Sequence, residues 1–397
     1  MNDNQEKLNL QLLRVVYFSE EPLSVRLKKA KYLIYLGADV NTRDKSFKKS
    51  ILAIAKDNGD VQMAKLLEDN GAVEVRIDEE KSLELGRQFW NSEHKLKSIE
   101  EIVGLIKIGA DVNTRDKYGQ TALMFLASSG QWEEAEVLIG FGADVNAKDN
   151  NKYRTALMFA SSAGNKLFVE KLLEHGAFID DKDKDGLTAL LGAARRGRYD
   201  TALVLINNGA NVNHKNNNGW TALMEASHSG SEKVVKLLID KGALVDAKGN
   251  LGLTALMWAA YRGVNSNVFE VLIDNGADVN AKDNTDRTAL HIAAGEGNKK
   301  CVDVLIKRGA DINARSKNGN TPLMSAVEWK CKDVVEFLID NGADIGAVNE
   351  WGRTALSMAK DRKYNEIVEL IKQKRKQALN KKFNDVLGNL FGVKKNR

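Results

Sequence analysis

The sequence predicts an all-α solenoid of stacked helix pairs with short β-hairpin turns, and three observations carry that prediction. A Gly-Ala pair followed by a short apolar stretch recurs at Gly37, Gly71, Gly109, Gly142, Gly176, Gly209, Gly242, Gly276, Gly309 and Gly342, at spacings of 34, 38, 33, 34, 33, 33, 34, 33 and 33. In the same rhythm Thr-Ala-Leu falls at Thr121, Thr155, Thr188, Thr221, Thr254, Thr288 and Thr354, with Thr321-Pro322-Leu323 completing the series. Finally, 2 prolines against 32 glycines exclude fibrous and proline-rich low-complexity classes. A period of this length marks units that bury their apolar faces only against neighbours, so the 397 residues form one stack rather than two or three separate cores.

The elements follow in chain order. Residues 1–36 read as a capping helix pair with Leu12, Leu13, Val16, Leu33, Ile34 and Leu36 as its apolar positions, and residues 37–70 as one repeat. Residues 71–108 form a degenerate or internal cap-like pair with Leu83, Leu85, Phe89, Ile102, Leu105 and Ile106 but no Thr-Ala-Leu. Residues 37–45 and 109–117 are the same nine amino acids, which indicates a duplicated amino-terminal block and predicts a bend or looser interface near Glu74 to Glu80. Eight tandem repeats occupy residues 109–373. In each, the threonine hydroxyl caps the first helix, and a glycine such as Gly130, Gly164, Gly197 or Gly230 ends it in a left-handed conformation. The second helix shows its apolar face in Ala135, Val137, Leu138 and Ile139, and the Gly-Ala-Asp-Val-Asn after it leads into an extended turn. Two hairpins lack the turn glycine. Asp286 tolerates a positive φ, whereas Tyr153 sits beside a one-residue insertion that is expected to distort its turn. About eleven helix pairs result, with helical caps at both ends, and residues 374–397 are a basic amphipathic tail.

The repeat resembles the ankyrin repeat. Residues 116–124 match Asp-x-x-Gly-x-Thr-Pro-Leu-His, residues 142–146 match the closing Gly-Ala-Asp-Val-Asn, and residues 283–291 restore the histidine. Alanine replaces the proline in every Thr-Ala-Leu, and methionine replaces the histidine at Met124, Met158, Met224, Met257 and Met324. The resemblance implies an ankyrin solenoid acting as a non-enzymatic protein-protein interaction scaffold. It also implies a concave face on which the residues before the threonine and before the helix-ending glycine contact a protein partner.

Catalytic chemistry finds no support in the residues. There is no Gly-x-Ser-x-Gly, no phosphate-binding glycine loop and no His-Glu-x-x-His. The five histidines fall in different registers, so no metal site is expected, and no cofactor either. Asp39, Asp111, Asp144, Asp278, Asp311 and Asp344 repeat at one turn position and read as hairpin residues. Residues 180–185 lack the glycine and closing glutamate of a calcium loop. The methionine column reads as core filling or, if exposed, as a soft binding strip. Cys301 and Cys331, 30 residues apart at non-equivalent positions, are not expected to pair. With no signal peptide and no spanning stretch, a monomer in a reducing cytoplasmic compartment is expected.

Two surfaces stand out. Leu187, Trp220 and Leu253 precede the threonines of three consecutive repeats, and the same repeats carry Arg195, Arg196, Glu225, His228, Trp258, Tyr261 and Arg262 along the first helices. Aromatic and arginine residues together are the composition of interface anchors, so these ten are the candidate partner-binding residues. The competing account lays Trp220 and Leu253 flat between hairpins and leaves the arginines solvated. In the tail, residues 372–397 hold nine basic residues and one acid, which leaves residues 1–371 at −3. The basic pI of about 8.8 therefore belongs to the tail, and nucleic acid is not an expected partner of the array. Leu379, Phe383, Val386, Leu387, Leu390 and Phe391 follow helical spacing there, with Lys381 and Lys382 between them. Such a segment can shield the exposed end of the last repeat, which is the favoured account. As the alternative, it serves a peripheral membrane or nucleic-acid adaptor.

Overall fold

The computed structural model describes residues 3–17, 22–44, 49–72, 87–90, 96–262 and 266–390. The bend expected near residues 74–80 lies outside them, as do Leu83 and Leu85 of the cap-like pair. Twenty-one helices are described, with one short antiparallel pairing of Arg43–Asp44 and Lys49–Ser50. The chain divides into two compact units: Met1–Ala193 with Asp200–Asn211, and Ala194–Tyr199 with Val212–Arg397.

Local chemistry sets each repeat. The hydroxyls of Thr121, Thr155, Thr221 and Thr321 accept from the backbone N–H of the methionine three residues on, at 3.3–3.4 Å. Gly130, Gly164 and Gly230 end the first helices with φ of 80°, 91° and 77°. Lys330 and Lys363 stand at the equivalent point with φ of 61° and 58°. All five methionines of the column are buried, so they fill the core.

In the first unit, α1 (Asp3–Tyr17), α2 (Leu23–Tyr35), α3 (Ile51–Asp57) and α4 (Val61–Asp69) enclose Leu12, Val16, Leu33, Ile51, Met63 and Leu67. Ser50, whose hydroxyl accepts from Ala53 N at 3.2 Å, caps α3 where later repeats use threonine. Helix α5 (Ile99–Lys107) opens on a reciprocal cap between Ser98 and Glu101. Beyond it, the first helices α6 (Ala122–Ser129) and α8 (Ala156–Ala163) pack on one another, backed by α7 (Trp132–Gly140) and α9 (Lys166–Glu174). The insertion beside Tyr153 widens one turn: Tyr153 takes φ of 61° and donates its N–H to Asp149 O, while Asp149 N still closes the hairpin on Arg154 O at 2.9 Å. Asp286, at 59°, takes the glycine conformation without an insertion. Helix α10 (Ala189–Arg195) gives residues to both units, and α11 (Tyr199–Asn207) belongs mainly to the first.

The second unit continues with α12 (Ala222–Ser229), α13 (Glu232–Asp240), α14 (Ala255–Arg262), α15 (Ser266–Asp274), α16 (Ala289–Gly295), α17 (Lys299–Lys307), α18 (Pro322–Glu328), α19 (Lys332–Asp340), α20 (Ala355–Asp361) and α21 (Asn365–Leu390). Again first helices pack on first helices and second on second. Asparagines link neighbouring hairpins within each unit. Asn213 donates to Gly242 O at 3.0 Å and accepts from Leu244 N, and Asn280 does the same with Gly309 O and Asp311 N. Asn113 and Asn146 repeat the device in the first unit, while Asp180 and Asp246 only accept. Among the described residues, no helix is long and apolar enough to cross a membrane.

Helix α21 starts as the second helix of the last repeat, burying Ile367, Val368, Leu370 and Ile371, and then runs on. Residues 375–380 are all exposed. This stretch shields no apolar neighbour, and the side chains of residues 381–397, on which the capping account also rests, lie outside what the structure describes. Lys381, Lys382, Phe383, Leu387 and Leu390 continue the helical backbone, and Phe391 lies outside the described residues.

Candidate functional site

Four candidate residues of the second unit meet in one aromatic cluster. Trp220 ends its hairpin, where Asn216 N bonds Trp220 O at 3.0 Å, and its indole lies 3.9 Å from that of Trp258 on α14, centroid to centroid. His228, at the end of α12, stands edge-on to both rings at 5.7 and 5.4 Å. Tyr261, 42% exposed, extends the cluster from Trp258 at 5.7 Å. Trp220, His228 and Trp258 are half-buried, so the rings form a continuous shelf with one side toward solvent.

Beside the shelf is an ion pair across repeats. The Arg195 guanidinium donates through Nε to Glu225 Oε2 at 3.0 Å and through Nη2 to Oε1 at 2.6 Å. Glu225 is only 1% exposed while Arg195 is half open, so the pair fixes a planar guanidinium at the rim and neutralises the buried carboxylate. Arg196 is exposed. Arg262 closes α14.

The row of three exposed apolar residues expected before the threonines is not what the fold presents. Leu253 is 4% exposed: its hairpin closes by the same backbone bond as that of Trp220, at 3.0 Å, but the shorter side chain stays enclosed where the indole reaches out. Leu187 is half-buried and belongs to the first unit. Leu253 is thus enclosed, whereas Trp220 stays half-buried against Trp258. Trp329 and Trp351, 69% and 56% exposed, are engaged separately: Trp329 lies against Gly295, and the Arg353 guanidinium sits 5.0 Å from the Trp351 ring.

His291 makes the structural hydrogen bond to the neighbouring turn that its Thr-x-Leu-His position implies, and only its lowered pKa went unread in the residue pattern. Its Nδ1 accepts from Thr288 N at 3.1 Å and its Nε2 bonds Asn320 O at 3.0 Å, across to the next hairpin. Burial, above all, holds its pKa below the ordinary 6.5. Burial likewise pushes the Cys301 thiol up to about 12 and raises that of Cys331, so neither cysteine is a ready nucleophile. Among the described residues no three His, Cys, Asp or Glu side chains stand together as a metal group.

Comparison with known proteins agrees with this geometry. The family described as ankyrin repeats (3 copies) matches at residues 93–183, 133–216, 168–249, 190–283, 256–349 and 314–385. The crystal structure of the human ASB11 ankyrin repeat domain is similar at 26% identity and a TM-score of 0.52, covering 56% of this chain and 98% of that one. The matched segments span well over half of the sequence, and the chain belongs to the ankyrin repeat family, whose repeats generally mediate protein-protein interaction.

Proposed function

We propose that this chain is a non-enzymatic scaffold, acting as a monomer, that binds a protein partner on the hairpin and first-helix face of its second unit, centred on Trp220, His228, Trp258 and Tyr261. The observation that carries this reading is the aromatic shelf itself. Four rings from two successive repeats touch one another yet remain partly open, at positions where another repeat with the same helix pair carries Arg287, Ile292 and Gly295.

A second detail supports it. Trp258 Nε1 is shielded and has no hydrogen-bond acceptor, a cost that phenylalanine avoids at the same position in Phe125 and Phe159. Large rings held on packed helices bind with little further loss of freedom, so the mechanism is rigid display, with Arg195 and Arg196 as polar rim.

The test is Trp220→Ala combined with Tyr261→Ala, read by quantitative affinity capture and by circular dichroism. Expected is loss of at least about tenfold in capture of specific partners with helicity unchanged. The milder Trp258→Phe should hold or raise stability and still weaken binding. Partner capture that is unchanged in both variants sinks the assignment to this face.

A further inference from the structure

The helix that ends the array continues past the side chains it buries there. In α21, Ile367, Val368 and Ile371 are buried, and Lys374 is clasped by Glu336 at 3.1 Å and Asp340 at 2.7 Å. From residue 375 to 380 every side chain is exposed, Leu379 to 60%, and the backbone stays helical to Leu390. In the sequence, Leu379, Phe383, Val386, Leu387 and Leu390 recur at steps of one, three and four, the rhythm of one helix face, with Lys381, Lys382, Asn384, Asp385 and Asn389 between them. Residues 372–397 carry nine basic residues and one acid, or +8, against −3 for residues 1–371.

We propose that residues 375–390 are an amphipathic helix that binds an anionic lipid surface and holds the array there. Each other occupant fails on one of the two features. The array does not cover the start of the segment, where residues 375–380 are open along their whole length. A second copy would bring two +8 tails together, which like-charge repulsion opposes. Nucleic acid would answer the charge but offers no apolar phase for the leucine and phenylalanine rhythm. An anionic bilayer answers both: its headgroups attract Arg375, Lys376, Lys381 and Lys382, and its acyl boundary takes an apolar face. The helix need not span anything; 16 residues at about 1.5 Å each give roughly 24 Å lying along the interface.

The experiment is co-sedimentation of the full chain with two kinds of vesicle, pure phosphatidylcholine and phosphatidylcholine mixed with phosphatidylserine. Expected is binding to the mixed vesicles at least about tenfold stronger than to the neutral ones, falling as salt is raised. Leu379→Asp with Phe383→Asp should abolish it, and Leu379→Asp alone, at an exposed position, should weaken it with the array's melting unchanged. Lys381→Gln with Lys382→Gln should weaken binding and flatten its salt dependence. A chain that stays in the supernatant with phosphatidylserine vesicles overturns the proposal. So does undiminished binding by the Leu379/Phe383 variant, or retention on a DNA duplex without retention on vesicles. Because partner capture by the aromatic shelf is measured without vesicles, failure here leaves that reading standing.

Discussion

Two repeats of the second unit share a frame and differ on its surface. In the repeat that begins at Thr221 and in the one at Thr288, the threonine and the next three residues are buried, and the second helices bury Val235 and Leu238, or Val302 and Leu305. Around that frame the first carries Trp220, Glu225 and His228, and the second Arg287, Ile292 and Gly295. One displays rings that meet across repeats. The other turns its guanidinium back onto Asp283 of its own hairpin at 2.9 Å. The positions just before the threonine and near the end of the first helix therefore vary while stacking does not, and even the buried fourth position after the threonine takes Glu225 in one repeat and Ile292 in the other.

The largest effect should come from breaking the shared frame. Leu238→Ala and Leu305→Ala each remove a fully buried side chain from equivalent second helices. Each should cost about 2–5 kcal/mol, read as a fall in the denaturation midpoint. Because the frame is common, the two costs should be similar. A cost below about 1 kcal/mol at either site would mean that the repeats are not equivalent beneath their surfaces.

The frame was legible in the sequence because its causes are local. A threonine that caps, a glycine that must take positive φ and apolar residues at helical spacing act within ten residues of one another, so their recurrence shows in the chain. Even the unusual hairpins could be read, since a missing glycine announces that Tyr153 or Asp286 must adopt its conformation. The surface was less legible, because its facts depend on partners about 30 residues away. Nothing near Glu225 says that Arg195 will cover it, and nothing near Leu253 says that it will be enclosed while Trp220 in the same position is not. The course of the tail was hidden for a similar reason. Helical spacing predicts a helix but not whether the helix folds back, and residues 375–380 turn out to run free.

A smaller effect tests a buried residue that differs chemically between these repeats, His291 against Met224. His291 accepts a backbone N–H through Nδ1, so its neutral form fits the site and the charged form does not. Its folded pKa lies below the ordinary 6.5, mainly through burial. In the unfolded chain the imidazole therefore takes up its proton first as pH falls. Stability is fully present above about pH 6.5 and declines below it, by at most about 1.4 kcal/mol per pH unit for one proton. His291→Met should flatten the dependence of the denaturation midpoint between pH 7 and pH 5, at some cost from the lost bond to Asn320 O. An unchanged pH slope in that variant would show that the imidazole is not the group responsible.

The smallest effect has the opposite sign. Ser227 and Ala294 occupy the same position in the two repeats, six residues after the threonine. Both are fully buried, but the Ser227 hydroxyl has no hydrogen-bond partner, and alanine asks for none. The repeat that carries the aromatic shelf thus holds an uncompensated polar atom that its neighbour lacks. Ser227→Ala removes one buried oxygen, leaves almost no void and relieves its desolvation, so it should raise stability by about 0.5–1 kcal/mol, measured as a higher midpoint. Ser161, six residues after Thr155, is buried and unpartnered in the same way in the first unit. At positions 66 residues apart, with no hydrogen-bond partner at either hydroxyl, the two substitutions should give gains that add. A loss of stability in Ser227→Ala would mean that the hydroxyl is held by something within the stack, and the contrast with Ala294 would then be one of bonding rather than of cost.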